Sequence, residues 1–158
     1  MLEVVLATLI SQTNPGLSSL QVKSYSSYLV KESRAQKIDP YIFYAIVHME
    51  SRWHSNAIGH EKDGSCWVGL GQIRVPGCDP EKVQPLYDPI YNLHRSAIIQ
   101  REAKKWCKMH VCKGGWLRLY NNSAKYVAEV QRIAKEARRV EPGKEPSVGA
   151  VRGRLHVP

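Results

Sequence analysis

The sequence predicts a mainly α-helical domain with a small β-hairpin or loop region around residues 57–75. In several stretches apolar residues recur at three- and four-residue intervals, as on the buried face of a helix. The stretch 57–75 instead holds four glycines among β-branched residues, a composition typical of loops and short strands. With 158 residues, 43% of them hydrophobic, the chain is long enough for one such domain.

The chain begins with a predicted helix that ends at Asn14-Pro15-Gly16. Its core-facing residues are predicted to be Val4, Val5, Leu6, Leu9 and Ile10. This segment carries Glu3 and has no Lys or Arg before its apolar part, so it makes a poor secretory signal, although an unconventional export signal remains the alternative. It is also too short to span a bilayer. Residues 1–37 are therefore interpreted as the N-terminal helices of the domain.

A second helix is predicted within residues 17–38, with a solvated end rich in Lys and Arg. Its apolar positions are Leu20, Tyr25, Tyr28 and Leu29. A long helix follows Asp88-Pro89, and a last one precedes residue 140. The predicted buried positions of the long helix are Ile90, Leu93, Ala97, Ile98 and Trp106. Those of the last helix are Tyr126, Val127, Val130, Ile133, Ala134 and Ala137. Residues 1–140 thus form the predicted domain, and 141–158 a flexible tail.

Glu50 lies at the end of an apolar stretch that begins with Asp39-Pro40, a helix N-cap followed by proline at the first helical position. A carboxyl in the last turn of a buried helix faces the negative end of the helix dipole and loses contact with water. Both effects raise its pKa, which prepares a general acid. The alternative is an ordinary exposed glutamate at a frayed helix end.

The formal charge of +9 comes from 23 Lys and Arg against 14 Asp and Glu. Such a charge implies attraction to a polyanion, namely nucleic acid, an anionic membrane or an anionic bacterial envelope. The basic residues are spread along the chain and are not interleaved with aromatic residues on one helix. This distribution argues against nucleic acid as the partner.

Four cysteines permit three disulfide pairings. Pairing of nearest neighbours, Cys66 with Cys78 and Cys107 with Cys112, is our prediction from sequence separation. A zinc site that also uses His60 or His110 is an alternative, but the cysteine gaps do not match the two-residue spacing of familiar zinc modules. Free buried thiols are the third possibility. We predict no metal site.

Three separate motifs resemble those of the soluble lytic transglycosylases, a family of the lysozyme-like superfamily. They are Glu50-Ser51, Gly69-Leu70-Gly71-Gln72-Ile73, and Tyr120-Asn121 followed by Tyr126-Val127. The resemblance spans roughly residues 38 to 139. It implies a lysozyme-like domain that cleaves the β-1,4 bond between N-acetylmuramic acid and N-acetylglucosamine in peptidoglycan and leaves 1,6-anhydro ends.

By this resemblance Glu50 is both acid and base. It protonates the glycosidic oxygen, the substrate's N-acetyl group supports the developing positive charge, and Glu50 then takes the proton of the C6 hydroxyl that attacks. The nucleophile belongs to the substrate, so the reaction needs no cofactor. Most glycosidases use two carboxyl groups, and the nearby Glu61, Asp63 and Asp79 are not embedded in an apolar pattern that fixes their positions.

The resemblance also implies substrate-binding residues. Gly69 and Gly71 would let the backbone pass close to the sugar, and Gln72 would line the subsites beside Glu50. Tyr120 would hold Glu50 and the substrate through its hydroxyl, and Asn121 would orient that turn. For each of these residues the alternative is a purely structural role.

The chain departs from the family pattern at several points. Arg74 stands where the family often has Met, and the interpretation is a charge contact to a carboxylate of the substrate. The segment 59–69 is longer than in the family, and Asn122-Ser123 replaces a small residue and Gly. Trp53 and Trp67 offer rings for stacking on sugars, although packing is the more common role of such residues.

Two alternatives to the lytic transglycosylase are a hydrolase of the same fold, which delivers water instead of the C6 hydroxyl, and a wall-binding or assembly module without catalysis. The expected partners are the peptidoglycan glycan strand and the anionic envelope. We expect a monomer without a transmembrane segment that acts in the periplasm or at the cell wall. A phage-encoded or secretion-system-associated protein fits this short chain.

Overall fold

The computed structural model describes residues 1–140, so the tail predicted for 141–158 lies outside the described residues. This part of the chain is mainly helical, with a small three-stranded antiparallel sheet. The helices are α1 (Leu2–Thr13), α2 (Ser19–Gln36), α3 (Pro40–Ser51), α4 (Pro80–Val83), α5 (Pro89–Met109), α6 (Leu117–Tyr120) and α7 (Ala124–Ala137). The strands are β1 (Ile58–His60), β2 (Cys66–Val68) and β3 (Ile73–Val75). Short 3-10 helices span Pro76–Cys78 and Gln84–Tyr87.

The larger hydrophobic core lies among α1, α2, α3, α5 and α7, where α3 and α7 pack along each other. Local signals set the helix ends: Ser18 and Gln21 form a reciprocal capping box at the start of α2. The Asp39 carboxylate accepts hydrogen bonds from the backbone of Tyr41 and Ile42 at the start of α3, at 2.9 and 3.2 Å. At the other end of α3, Arg52 adopts a left-handed backbone conformation that stops the helix.

The predicted hairpin region is a three-stranded sheet in the order β1-β2-β3. In the register Ile58 faces Val68 and Cys66 faces Val75. The inner face of the sheet covers a second, smaller core cluster. Its buried residues are Cys66, Val68, Ile73, Val75, Val83 and Leu86. The sheet region is thus held by a core separate from that of the helical body.

Three apolar residues of the predicted helical patterns are exposed, two of which, Val4 and Trp106, were predicted to be buried. Val4 is 56% exposed because the buried positions of α1 are Val5, Leu6, Leu9 and Ile10, and Val4 lies outside that stripe. Leu20 is 78% exposed in the first turn of α2. Trp106 is 44% exposed because the buried residues of α5 end at Gln100, and the helix continues beyond the core.

Both predicted disulfides are confirmed, with Cys66 bonded to Cys78 and Cys107 to Cys112. All four cysteines are therefore oxidised, which overturns the zinc and free-thiol alternatives for these residues. Disulfides of this kind are compatible with an extracytoplasmic location. No helix within residues 1–140 is long and apolar enough to cross a membrane.

Candidate active site

Glu50 lies in the last turn of α3, as predicted, and is partly buried. The residues that place it there are the buried middle of the helix, from Phe43 to Val47, which anchor α3 in the core. Because α3 ends one residue after Glu50, the carboxyl lies next to the loop that connects α3 to β1. The position of Glu50 is therefore fixed by hydrophobic packing of its own helix.

Burial raises the pKa of Glu50 above its ordinary value, because loss of water disfavours the charged carboxylate. A hydrogen bond from the Tyr126 hydroxyl lowers the pKa in part, since it stabilises the carboxylate. Burial is the larger effect. Such a group keeps its proton at a higher pH than an exposed glutamate, as a general acid needs.

Tyr126 was predicted as a buried residue of the last helix and as part of the third motif, but no role at the site was predicted for it. Its hydroxyl donates to Oε1 of Glu50 at 2.5 Å, across 76 residues of chain. The ring is buried in α7, whose first turn is capped by the Ser123 hydroxyl, which accepts from the Tyr126 backbone. Burial and the neighbouring Glu50 charge raise the pKa of the Tyr126 phenol far above its ordinary value, so the hydroxyl stays a donor. Its position directly before Val127 in the third motif was the available signal.

Tyr120 lies beside this pair but bonds a different partner. Its hydroxyl donates to the Gly71 carbonyl at 3.0 Å and lies 3.5 Å from the Ser96 hydroxyl. Burial, followed by the charge of Glu50, raises the pKa of the Tyr120 phenol. The direct bond to Glu50 that was expected of Tyr120 is made by Tyr126, and Tyr120 instead ties α6 to the sheet region.

The two glycines of the second motif are explained by α5. A Cβ at Gly69 would lie 2.1 Å from Nδ2 of Asn92, and a Cβ at Gly71 would lie 2.6 Å from the Ser96 hydroxyl. Gly69 also has a φ of 76°, which other residues rarely adopt. In this structure the absence of side chains at both positions permits close contact with α5, so access of a sugar is not needed to explain them.

Asn92 joins the second motif to α5 and was not identified from the sequence. Its side chain is fully buried, and its amide group donates to the carbonyls of Val68 and Leu86, both at 2.9 Å. Its carbonyl oxygen accepts from the Gly71 backbone at 2.7 Å. One side chain thus satisfies two backbone groups of the sheet region and one of the 3-10 helix Gln84–Tyr87.

Gln72 follows Gly71 with an unusual positive φ of 45°. Its side-chain amide folds back and donates to the carbonyls of Ala57 and Gly69 at 3.2 and 3.0 Å. The residue therefore ties the turn before β3 to the chain that enters β1. A role for Gln72 in sugar binding remains a prediction.

Arg74 and Asn121 make local contacts. Arg74 forms an ion pair of 2.6 Å with Asp63 on the exposed face of β3. Two hydrogen bonds donated by Ser65 lower the pKa of Asp63 most, and with the smaller contribution of Arg74 they hold it at about 2. The Asn121 carbonyl oxygen accepts from the Ser123 backbone at 3.0 Å and shapes the turn before α7. Substrate contacts of Arg74 and Asn121 remain predictions.

The two tryptophans near the motifs have different environments. Trp53 is fully buried and stacks on Tyr25 and Tyr44, with ring centroids 6.2 and 5.8 Å apart, so its ring is not available to a sugar. Trp67 is partly exposed on β2, and its indole donates to Glu61 at 3.1 Å. Of the two rings, the structure leaves only Trp67 accessible to a ligand.

A polar cluster joins α3 to α1 through Tyr44, His48 and Thr13. Nδ1 of His48 lies 3.2 Å from the Thr13 hydroxyl and 3.4 Å from that of Tyr44. Burial, then the charges of Arg52 and Arg132, lower the pKa of His48 to about 4. The imidazole is therefore neutral at neutral pH and connects α3 to the end of α1.

Within residues 1–140 no group of three or more His, Cys, Asp or Glu side chains is arranged to hold a metal ion. The arrangement that can perform chemistry is the group of Glu50, Tyr126, Tyr120 and the Gly71 carbonyl. It combines an acid with a raised pKa, the Tyr126 hydroxyl that orients this acid, and a second tyrosine whose hydroxyl donates to the Gly71 carbonyl. Comparisons of the chain with protein-family models, with curated proteins and with solved structures find no match.

Proposed function

We propose that the protein is a peptidoglycan lytic transglycosylase with Glu50 as both acid and base. The observation that carries the proposal is one partly buried carboxyl with a raised pKa, oriented by a phenol. The helical body with a small sheet beside this carboxyl is compatible with a lysozyme-like domain, which is part of the same proposal.

In the first step the protonated Glu50 gives its proton to the oxygen of the bond between N-acetylmuramic acid and N-acetylglucosamine. The bond from that oxygen to C1 of the muramic acid breaks, and the substrate's N-acetyl oxygen supports the positive charge at C1. The hydrogen bond from Tyr126 to Oε1 fixes the orientation of the carboxyl and stabilises the carboxylate that is formed.

In the second step the Glu50 carboxylate takes the proton of the C6 hydroxyl, and the C6 oxygen attacks C1. The products are a 1,6-anhydro end and a free N-acetylglucosamine end, and Glu50 regains its proton. Because the nucleophile is part of the bound sugar, the reaction benefits from a high effective concentration and consumes no water.

The surroundings of the other acidic residues favour this one-carboxyl mechanism over a two-carboxyl hydrolysis. Asp63 is exposed, bonded to Ser65 and Arg74, and has a lowered pKa. Glu61 is exposed and accepts a hydrogen bond from the Trp67 indole. Neither carboxyl is buried in the way that raises the pKa of Glu50. A retaining hydrolase needs a second carboxyl facing the first across the sugar.

The envelope of a bacterium is the proposed working place. The charge of +9 suits an anionic polymer of the cell wall, and two disulfides suit an oxidising compartment. The glycan strand is the proposed partner.

Muropeptide analysis by mass spectrometry tests the proposal. Wild-type protein should release fragments with anhydro ends, which are one water lighter than reducing ends. Glu50→Gln keeps the volume and an acceptor for Tyr126 but cannot transfer the proton, so release should fall by at least about 100-fold. Glu61→Gln and Asp63→Asn are matched controls that should retain activity.

Three outcomes would contradict parts of the proposal. Reducing ends alone would replace the transglycosylase by a hydrolase. Full activity of Glu50→Gln would remove Glu50 from the reaction. Binding to purified peptidoglycan without release of any fragment, by wild type and Glu50→Gln alike, would favour a wall-binding module.

A further inference from the structure

The end of α5 and the segment that follows it form a surface outside the proposed active site. This surface, the basic loop, comprises residues 104–118 and contains five basic residues and no acidic one. Lys104 is already bonded to the Lys37 carbonyl at 2.8 Å, and the Arg118 side chain lies beneath Gly114. The remaining three are exposed and form no ion pair with any residue of 1–140. They are Lys105, Lys108 and Lys113.

Large apolar side chains are exposed among these lysines. Trp106 is 44% exposed, Met109 is 63% exposed and Val111 is 93% exposed. In a helix, residues three and four apart are neighbours, so Met109 lies next to both Lys105 and Trp106. On this surface, ammonium groups therefore alternate with apolar side chains, and no residue of 1–140 covers these apolar side chains.

The loop is also fixed in shape. The Cys107–Cys112 disulfide closes the segment that carries Met109 and Val111. At its base, Trp106 and His110 stack with ring centroids 4.3 Å apart. A loop that is already ordered loses less conformational entropy when a partner binds it, so this presentation favours docking.

The composition of the surface selects its partner. A soluble polyanion would neutralise the lysines but leave Met109 and Val111 in water. The surface of an anionic bilayer offers phosphate groups to the lysines and, a few ångströms deeper, an apolar layer that receives methionine, valine and the edge of tryptophan.

We propose that the basic loop is a docking surface for an anionic phospholipid bilayer. Lys105, Lys108 and Lys113 contact the lipid phosphates, and Met109 and Val111 enter the boundary between headgroups and acyl chains. The basic loop ends within α6, two residues before Tyr120. Docking would therefore hold the Glu50 cluster at a fixed distance from the membrane.

Co-sedimentation of the full chain with lipid vesicles tests this proposal. Wild-type protein should bind vesicles that contain phosphatidylglycerol and not vesicles of phosphatidylcholine alone. Replacing the three lysines by glutamine should weaken binding roughly 100-fold. Met109→Ser with Val111→Ser should weaken it about 10-fold or more, through loss of apolar insertion, without any change of charge.

Matched variants control for charge and for hydrophobicity. Lys23→Gln, Lys62→Gln and Lys135→Gln remove the same charge from exposed lysines elsewhere that also form no ion pair with any residue of 1–140. Val4→Ser with Leu20→Ser removes two exposed apolar side chains from α1 and α2. Both sets should bind vesicles like wild type.

Two results would overturn the proposal. If the loop variants bind vesicles as tightly as the matched controls, the docking surface lies elsewhere or does not exist. If loss of the lysines abolishes binding but Met109→Ser with Val111→Ser has no effect, and dextran sulfate binds with equal affinity, the loop is a site for soluble polyanions. Neither result bears on Glu50, because muropeptide release from isolated walls needs no membrane.

Discussion

The two walls beside Glu50 are held together in different ways. The helical wall, α3 and α7, is part of the large apolar core, and its residues are joined mainly by hydrophobic contact. The sheet wall, β1 to β3, covers a cluster of six buried residues and depends on the Cys66–Cys78 disulfide and the bonds of Asn92. Tyr120 lies between the two walls: its hydroxyl donates a hydrogen bond to the Gly71 carbonyl, and the charge of Glu50 raises the pKa of its phenol.

This difference assigns separate tasks to the two walls. A carboxyl with a raised pKa needs a dry and rigid support, which the core around α3 provides. A small sheet cannot bury enough apolar surface to hold itself, so polar and covalent bonds replace hydrophobic packing there. Changes to buried polar groups should therefore affect the sheet wall more than the helical wall.

Replacing Asn92 by alanine should have the largest effect on stability. The change leaves the Gly71 amide and the carbonyls of Val68 and Leu86 without their partner, so the free energy of unfolding should fall by about 3 kcal/mol. Chemical denaturation measures this loss, and hydrogen exchange should accelerate first in β2 and β3. The exposed Asn122→Ala is the control and should have no effect. Uniform acceleration in α3 as well would mean that the two walls are one cooperative unit.

The polar cluster around His48 tests whether the helical wall is wholly independent of polar bonds. The pKa of His48 in the folded protein, about 4, lies below the ordinary value for histidine. Between pH 6.5 and 4, His48 is therefore protonated in the unfolded chain but remains neutral in the folded protein. The wild type should therefore lose about 2 kcal/mol of stability across this window as the pH falls, allowing for partial exposure. His48→Gln should lack this component. Equal pH profiles of the two proteins would contradict the assignment.

The Tyr126→Phe variant tests the bond that joins α7 to Glu50. Loss of the donor raises the pKa of Glu50 further, because the carboxylate loses its stabilising partner. The limb of the rate profile at high pH should move to higher pH, and activity at neutral pH should fall about 10-fold through loss of orientation. Tyr28→Phe, at a partly buried position of α2, serves as the control. An unchanged pH profile with reduced activity would mean that Tyr126 acts through packing alone.

The smallest expected effect is a gain in stability from Glu50→Gln. The raised pKa of Glu50 means that the folded state disfavours the carboxylate. The resulting loss of stability is absent below the pKa that Glu50 has in the unfolded chain, and it grows as the pH rises toward the pKa that Glu50 has in the folded protein. At neutral pH the amide should therefore raise the melting temperature by a few degrees, and at acidic pH the two proteins should unfold alike. A lower melting temperature at neutral pH would show that the carboxylate is well accommodated.

The sequence predicted the helical wall well because its signals are local. Asp39-Pro40 and the apolar run after it specify the start and burial of α3, and hence the position of Glu50. The glycines of 57–75 indicated the sheet region but not its third strand. The bond from Tyr126 joins residues 76 positions apart, and the contact of Gly69 with Asn92 depends on how α5 crosses the sheet. No local pattern encodes such contacts.

The burial of Trp53 directly after α3 provides a built-in optical reporter. Its indole lies between Tyr25 and Tyr44 and is shielded from water, whereas Trp106 is largely solvated. Once Trp67 and Trp116, the other two tryptophans of the chain, are replaced by phenylalanine, the two rings should therefore emit at different wavelengths and respond differently to an added quencher. Emission from the shielded ring would report the integrity of the turn behind Glu50, and emission from Trp106 would report events at the far end of α5, within a single unlabelled sample.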